Sequence, residues 1–163
     1  MSLTQLRSRG ILDGTISAGD LATGVGGKVL QVVSATTTTN TATTSTTFVT
    51  TALSASITPS SASSKILIQT LGGSFYNVTV GYGCISTIFR NSTELSGSSY
   101  GIANTWSATA RIQVPAVIGI YDSPSTTSSV TYSLRIKSEN ASGTASHIPN
   151  ADLATIILME IAG

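Results

Sequence analysis

Few residues in this 163-residue chain have the types and spacing that catalysis requires. The one histidine, His147, lies in a Ser-His-Ile-Pro-Asn segment of a serine-rich sequence. An imidazole that removes the proton of a serine hydroxyl would give an esterase-type enzyme, for example one that deacetylates a glycan. No further residue supports a catalytic triad, so we predict a protein that is not an enzyme.

The acidic residues and the single cysteine lead to the same expectation. A glycosidase needs two carboxylates beside the scissile bond, but most acidic residues here fall in predicted turns, where a solvated carboxylate is ordinary. No cysteine and histidine cluster has zinc spacing, and no acidic loop matches a calcium site, so we predict no metal and no cofactor. Cys84 has apolar neighbours and is expected to be a small buried side chain. The acidic residues are Asp13, Asp20, Glu94, Asp122, Glu139, Asp152 and Glu160.

The composition is poor in charge and rich in hydroxyl groups. Charged residues make up 9% of the chain, against about 25% in a typical globular domain. The formal net charge of +1 lacks the basic footprint of a nucleic-acid-binding protein. The sequence shows neither a signal peptide nor the roughly 20 apolar residues of a membrane span. So little charge is typical of a chain that functions in an assembly.

Two segments predict the framework strands that would position any site. Lys65 to Leu71 is short, rich in isoleucine and followed by Gly72-Gly73, which predicts a mostly buried strand and then a bend. Ile112 to Tyr121 alternates apolar residues with others and is predicted to be one strand. Pro115 cannot donate a ladder hydrogen bond, so this strand is expected at an edge or to be bulged there.

The C-terminal half continues the pattern. Val130 to Lys137 has one apolar and one polar face, as expected for a strand with one wet side. Ala154 to Ile161 is apolar on both faces, so its outer side is expected to be covered, partly by a second subunit. About eight to ten such strands predict an all-β, antiparallel β-sandwich of jelly-roll or Greek-key type over residues 29–163.

The segment Ser34 to Thr47 contains only serine, threonine, alanine and asparagine. Threonine is β-branched and favours extended backbone, which predicts a long surface loop with an exposed edge strand. A disordered, mucin-like linker is the alternative.

Residues 1–28 differ from the rest and are interpreted as an attachment arm and hinge. Glycines are too frequent for a long helix, yet aliphatic residues recur along the segment. We expect an extended peptide that docks on another surface, with a frayed terminus as the alternative. The expected docking residues are Leu3, Leu6, Arg7, Arg9, Ile11, Leu12, Ile16 and Leu21.

The segment Ser96 to Trp106 combines glycine, serine and asparagine with aromatic residues. Such loops are typical of recognition surfaces, because an aromatic ring has an apolar body and a polar tip. Tyr100, Asn104 and Trp106 are therefore the candidate recognition residues. The alternative is that Trp106 caps the core at the start of a strand.

Three stretches resemble virion proteins of tailed bacteriophages, especially short fibre, tail-tip and head-decoration proteins of marine and cyanobacterial phages. The first runs from Asp13-Gly-Thr-Ile16 through Asp20-Leu-Ala-Thr-Gly24 to Gly27-Lys-Val-Leu-Gln-Val-Val33. The second is residues 53–68. The third joins Tyr121-Asp-Ser-Pro124 and Val130-Thr-Tyr132 with residues 154–161.

The resemblance implies a non-enzymatic structural protein in the virion, assembled in the host cytoplasm as a homotrimer. Its arm would bind capsid or tail proteins, and its β domain would face outward to assist contact with the host surface. Only some 28 residues precede the domain, which favours a short head fibre or decoration protein over a long fibre. A lectin-like module that binds a host surface glycan through Tyr100, Asn104 and Trp106 is the alternative. We expect neither a nucleic-acid partner nor membrane insertion.

Overall fold

The computed structural model describes residues 28–148 and 150–163, and within these residues every regular element is a β-strand. The arm of residues 1–27, with all eight predicted docking residues, lies outside the described residues. The described part contains no helix with the length and apolarity of a membrane span. The strands are β1 Val29–Thr37, β2 Thr41–Thr43, β3 Val49–Ile57, β4 Lys65–Gly72, β5 Ser74–Asn77, β6 Cys84–Arg90, β7 Thr93–Glu94, β8 Ala103–Thr105, β9 Ile112–Pro115, β10 Gly119–Asp122, β11 Val130–Ser138, β12 Ala145–His147 and β13 Ala154–Ile161.

The strands form three antiparallel sheets, which we name by their first strand. The β1 sheet has the order β1-β13-β4-β10, and the β2 sheet has the order β2-β12-β5-β9. The β3 sheet has the order β3-β11-β6-β7, with β8 also paired to β6. Strands at the same place in the two sheets are consecutive in the sequence: β1 with β2, β13 with β12, β4 with β5, and β10 with β9. The two sheets are therefore halves of one bent layer, and the β3 sheet is the other layer of a sandwich with jelly-roll strand order.

The bend of this layer follows from its sequence. Gly72 and Gly73 separate β4 from β5 and have positive φ angles of 73° and 64°, where a side chain is strained. A Cβ at Gly72 would also lie 2.3 Å from the carbonyl oxygen of Leu153. Two residues before Gly72 in β4, the buried Thr70 hydroxyl donates to the carbonyl of Ala116 at 2.8 Å and accepts from the amide of Ile118 at 3.1 Å. This hydroxyl satisfies backbone groups that the break in the ladder would otherwise leave without partners.

The core lies between the two layers and is filled by alternate residues of the long strands. In β11, Val130, Tyr132, Leu134 and Ile136 are buried, as the one-sided pattern predicts. In β13, Ala154, Ile156 and Leu158 face the core together with Glu160, whereas the residues between them are partly exposed. The prediction of an all-β antiparallel sandwich is confirmed.

Two details differ from the sequence predictions. The predicted strand Ile112 to Tyr121 is divided into β9 and β10 by residues 116–118. The prediction of one strand was wrong because the alternation of buried and exposed residues continues through the break, where Ala116 and Ile118 still point inward. Pro115 ends an edge strand of the β2 sheet, in agreement with its missing amide hydrogen.

The threonine-rich segment is more regular than a surface loop. Residues 34–37 extend β1, which is an edge strand of the β1 sheet, and Thr41–Thr43 form β2 at the edge of the β2 sheet. Its backbone therefore pairs with β13 and β12, which rules out the linker interpretation for this part of the chain.

Candidate recognition surface

Strand β8 positions two of the three predicted recognition residues. It pairs with β6 through Thr105 opposite Cys84 and Asn104 opposite Ile85. Side chains alternate along a strand, so buried Thr105 points inward while Asn104 and Trp106 point to the same outer side. The Trp106 side chain is 53% exposed, and it follows β8 rather than starting it. Trp106 therefore does not cap the core.

We name residues 96–106, which include β8, the recognition loop. Serine hydroxyls hold its first part and fix the backbone of Tyr100. The hydroxyl of Ser98 accepts the amide hydrogen of Tyr100 at 3.2 Å, and the hydroxyl of Ser96 accepts the amide hydrogen of Ser98 at 3.2 Å. The Ser96 hydroxyl in turn donates to the carboxylate of Glu94. These local bonds supply the turns that let a polar loop keep one conformation. The ring of Tyr100 remains 59% exposed.

Two glycines allow this loop to lie directly against β6. Gly101 has a φ of 64°, and a Cβ there would lie 2.3 Å from the carbonyl oxygen of Ser86. A Cβ at Gly83 would lie 2.7 Å from the Asn104 side-chain oxygen. Any other residue at either position would displace the recognition loop from the sheet.

A second loop supports Trp106 from the side. The amide of Gly81 donates to the carbonyl of Ser107 at 2.8 Å. Val80, which is 41% exposed, precedes Gly81 in the sequence, and Trp106 precedes Ser107. The hydrogen bond therefore brings the two loops together next to these side chains. The surface around β8 therefore presents an indole ring, an amide group and one aliphatic side chain, and the preceding loop exposes the phenol ring of Tyr100. This combination can stack on an apolar ring face and hydrogen-bond to hydroxyl groups.

His147 does not belong to this surface. Its side chain points into the core beside Phe75, with ring centroids 5.6 Å apart, and it is fully buried. Neither ring nitrogen has a hydrogen-bond partner among the described residues, and burial lowers the pKa of His147 to about 4. No serine hydroxyl in the described part of the chain hydrogen-bonds to the imidazole, so the geometry gives the esterase hypothesis no support.

The recognition loop also contains a Gly-x-Ser-x-Gly pattern, Gly97 to Gly101, with Ser99 at its centre. In a nucleophile elbow this serine lies on a sharp turn between a strand and a helix. Here the pattern lies in a turn between β7 and β8, on the outside of the β3 sheet, while His147 is inside the core. The sequence pattern alone therefore does not make Ser99 a nucleophile.

Asp122 and Glu160 are not the solvated carboxylates that the sequence predicts. Asp122 accepts hydrogen bonds from the Arg90 guanidinium at 2.9 and 2.8 Å and from the Tyr132 hydroxyl at 2.7 Å. Burial and this bond to Asp122 raise the pKa of Tyr132. Arg90 belongs to the β3 sheet and Asp122 to the β1 sheet, so this group joins the two layers.

Glu160 is fully buried at the same end of the sandwich. Its carboxylate accepts from the Ser60 amide at 2.7 Å, the Ser60 hydroxyl at 2.6 Å and the Gln31 side chain at 2.6 Å. Burial raises the pKa of Glu160, but these hydrogen bonds lower it by more, to about 2. Both carboxylates are satisfied within the fold, which assigns them a structural role.

The remaining features give no second site. Cys84 is buried as predicted, and burial raises the pKa of its thiol to about 12. An open cleft of ≈ 430 Å³ lies beside β5 and β9, but its lining has no charged residue. Across residues 28–148 and 150–163, no group of three or more acidic, histidine or cysteine side chains is placed to hold a metal ion.

Comparison with known proteins does not identify the chain. No protein-family model matches its sequence, and no curated protein matches it.

Proposed function

We propose that this chain is a non-enzymatic structural protein of a tailed-phage virion. In this proposal it is a short homotrimeric fibre or decoration protein. Residues 1–27 dock on capsid or tail proteins, and the β domain faces outward and assists contact with the host surface.

The observation that supports this proposal most strongly is the position of the recognition loop relative to the start of the domain. The described chain begins at Lys28, where Val29 of β1 pairs with Ile161 at the end of β13. Trp106 lies near the opposite end of the sandwich. It directly follows β8, and β8 pairs with the start of β6. Strand β6 begins there, after the loop that leaves β5. A protein that binds a particle through its N-terminal arm would therefore present Asn104 and Trp106 away from the particle.

Two further features support the proposal. The jelly roll is a fold that viral capsid proteins use, although the same fold serves many unrelated functions. The low charge is the composition expected of a chain that spends its time in an assembly.

The direct test is to look for the chain in particles produced from the genome that encodes it. Peptide mass spectrometry of purified particles should detect it, and immunogold labelling should place it on the head or the tail. A variant that lacks residues 1–27 should fold but be absent from the particles. Incorporation of this variant at the normal level would contradict the role of the arm, and absence of the full chain would contradict the whole proposal.

A lectin-like module is the second candidate, favoured by the exposed Trp106 ring beside the Asn104 amide. Aromatic rings and amides are suited to the apolar faces and hydroxyl groups of sugars. Binding of the full chain to glycans of the host surface should be lost in Trp106→Ala. It should persist in Val117→Ala, which removes a side chain that is equally well exposed, at 58%, outside the recognition loop. If the wild-type chain binds none of the host polysaccharides, this candidate is wrong.

A further inference from the structure

One row of the outer face of the β1 sheet is apolar across all four strands. The strand register places Val32 of β1 opposite Met159 of β13, Met159 opposite Leu67 of β4, and Leu67 opposite Tyr121 of β10. Directly paired residues lie on the same face of a sheet. Val32 is 58% exposed and Tyr121 is 49% exposed, so this row points away from the core.

Further apolar residues lie on both sides of this row, among the polar residues Ser34, Thr36, Thr155 and Gln69 of the same face. Ile157, Ile161 and Leu71 have the same outward parity along their strands. Val29 pairs with Ile161 at a bulge next to Leu30, and Val29, Leu30 and Leu71 are exposed. The only charged residue with this parity on the four strands is Lys65, at one corner, with its ammonium 5.8 Å from the centre of the Tyr121 ring. A contiguous apolar area of this kind is typical of an interaction site.

The size of the face is close to what a specific interface needs. The strands lie about 4.8 Å apart and rise about 3.4 Å per residue, and β10 has only four residues, so the flat area is roughly 470 Å². Two such faces in contact would bury about 900 Å² before side-chain relief is counted, against the roughly 1,200 Å² at which stable protein interfaces begin. The side-chain relief of leucine, methionine and tyrosine adds to this area.

We propose that the outer face of the β1 sheet is covered by further copies of this chain. A highly charged partner would leave its charges without counter-charges on this face, so the partner must present an apolar surface of similar size. A second copy supplies one by construction, and matching β-sheet faces pack at about 10 Å with interdigitated side chains. This inference does not depend on the virion proposal, because any assembly of the domain would need to cover the same face.

The chain's own arm is the competing occupant, since 27 residues precede Lys28 at the edge of the sheet. Its aliphatic residues are separated by one to five positions, including the adjacent Ile11 and Leu12. An added strand would need an apolar residue at every second position to extend the apolar rows, and the sequence of the arm lacks this period. The observations therefore favour a second copy, and the experiments below separate the two occupants.

The first experiment measures the mass of the full chain in solution by light scattering after gel filtration. The wild type should have a multiple of 16.6 kDa, and Val32→Lys should shift to 16.6 kDa because a buried unpaired ammonium is costly. Ser54→Lys is the matched control, since Ser54 is exposed in the middle of β3, an edge strand of the other layer. It should keep the wild-type mass. A monomeric wild type, or an oligomer that Val32→Lys leaves intact, would overturn the proposal.

The second experiment needs no variant and so remains valid if Val32→Lys does not fold. The rate at which peroxide oxidises Met159 is followed by peptide mapping at a series of protein concentrations. Coverage by a second copy predicts a rate that rises severalfold over the dilution range in which light scattering shows the oligomer dissociating. Protection that persists where light scattering shows the monomer would mean that the arm covers the face, and a fast rate at every concentration would mean that nothing does. Either result would overturn the proposal.

Discussion

The two outer faces of the sandwich differ in what covers their apolar side chains. On the β3 sheet, Phe89 points outward but is only 8% exposed. Phe48 packs edge to face against it, with ring centroids 5.6 Å apart, and the Arg135 guanidinium lies 4.0 Å from its ring centre. On the β1 sheet, Val32 and Tyr121 remain about half exposed. The first face is completed by residues of the same chain, whereas the described residues leave the second face uncovered.

The polar residues of the two layers differ in the same way. The exposed positions of β3 include Ser54 and Ser56, and the Ser56 hydroxyl lies 2.7 Å from that of Thr131. In β13 the arrangement is reversed, because the one charged residue, Glu160, faces the core while Ile157 and Met159 face out. The difference shows that burial of one face of a strand does not determine whether its other face is polar or apolar.

The largest effect on the free energy of unfolding is expected from truncating Phe89, whose ring is covered by residues of the same chain. Phe89→Ala should lower the free energy of unfolding by about 3 kcal/mol, because it deletes a buried aromatic side chain and leaves a cavity. Urea unfolding at low protein concentration measures this loss, and it should not depend on concentration. Leu67→Ala, on the outer face of the β1 sheet, is the matched variant. Its cost should be small at low concentration and grow as the chain associates, so an equal and constant cost for both variants would contradict the comparison.

A smaller effect is expected where the two layers are joined by Asp122. Asp122→Asn should lower the free energy of unfolding by about 2 kcal/mol, because it leaves the partly buried guanidinium of Arg90 without its counter-charge. Chemical denaturation of this variant should show the loss without any change in oligomer mass, since the group lies inside the sandwich. Tyr132→Phe removes only one hydrogen bond and should cost less. A change of mass in Asp122→Asn would indicate that this end also forms the interface.

A third effect is expected from acid, through Glu160. Its pKa is lowered from an ordinary 4.5 to about 2 in the folded chain, so its contribution to stability is complete above 4.5 and is lost as the pH falls from 4.5 toward 2. Thermal unfolding across this range should show that loss in the wild type. Glu160→Gln should be less stable at neutral pH and should lose less on acidification. If both proteins have the same slope between pH 2 and 4.5, another carboxylate is responsible.

The sequence predicts the strands whose patterns are local. The bounds of β13 and of the strand after Pro59 follow from short apolar runs, and the inward residues of β11 follow from period two. The hydroxyl-rich composition of residues 96–106 likewise predicts an exposed loop, which holds for residues 96–102, whereas residues 103–105 form β8. The sequence leaves open whether Trp106 is exposed or caps the core. Each of these inferences depends on residues within about ten positions of one another.

The missed features depend on residues that are distant in the sequence. The donors to Glu160 come from Ser60 and Gln31, which are 100 and 129 positions away, so no local pattern indicates a buried carboxylate. The break between β9 and β10 depends on the Thr70 hydroxyl, 46 positions from Ala116. The pairing of β8 with β6 was not predictable for the same reason.

The antiparallel pairing of β1 with β13 also has a mechanical consequence. A load applied between Lys28 and Trp106 would pull β1 along its own length, and its hydrogen bonds to β13 run perpendicular to that direction. The bonds from Gln31 to Thr37 would then be sheared together, whereas a peeling force would break them one at a time. Extension of single molecules with optical tweezers should therefore record a higher rupture force between these two points than between the two ends of a hairpin. The first strand after the arm would thus resist tension, in addition to forming one edge of the fold.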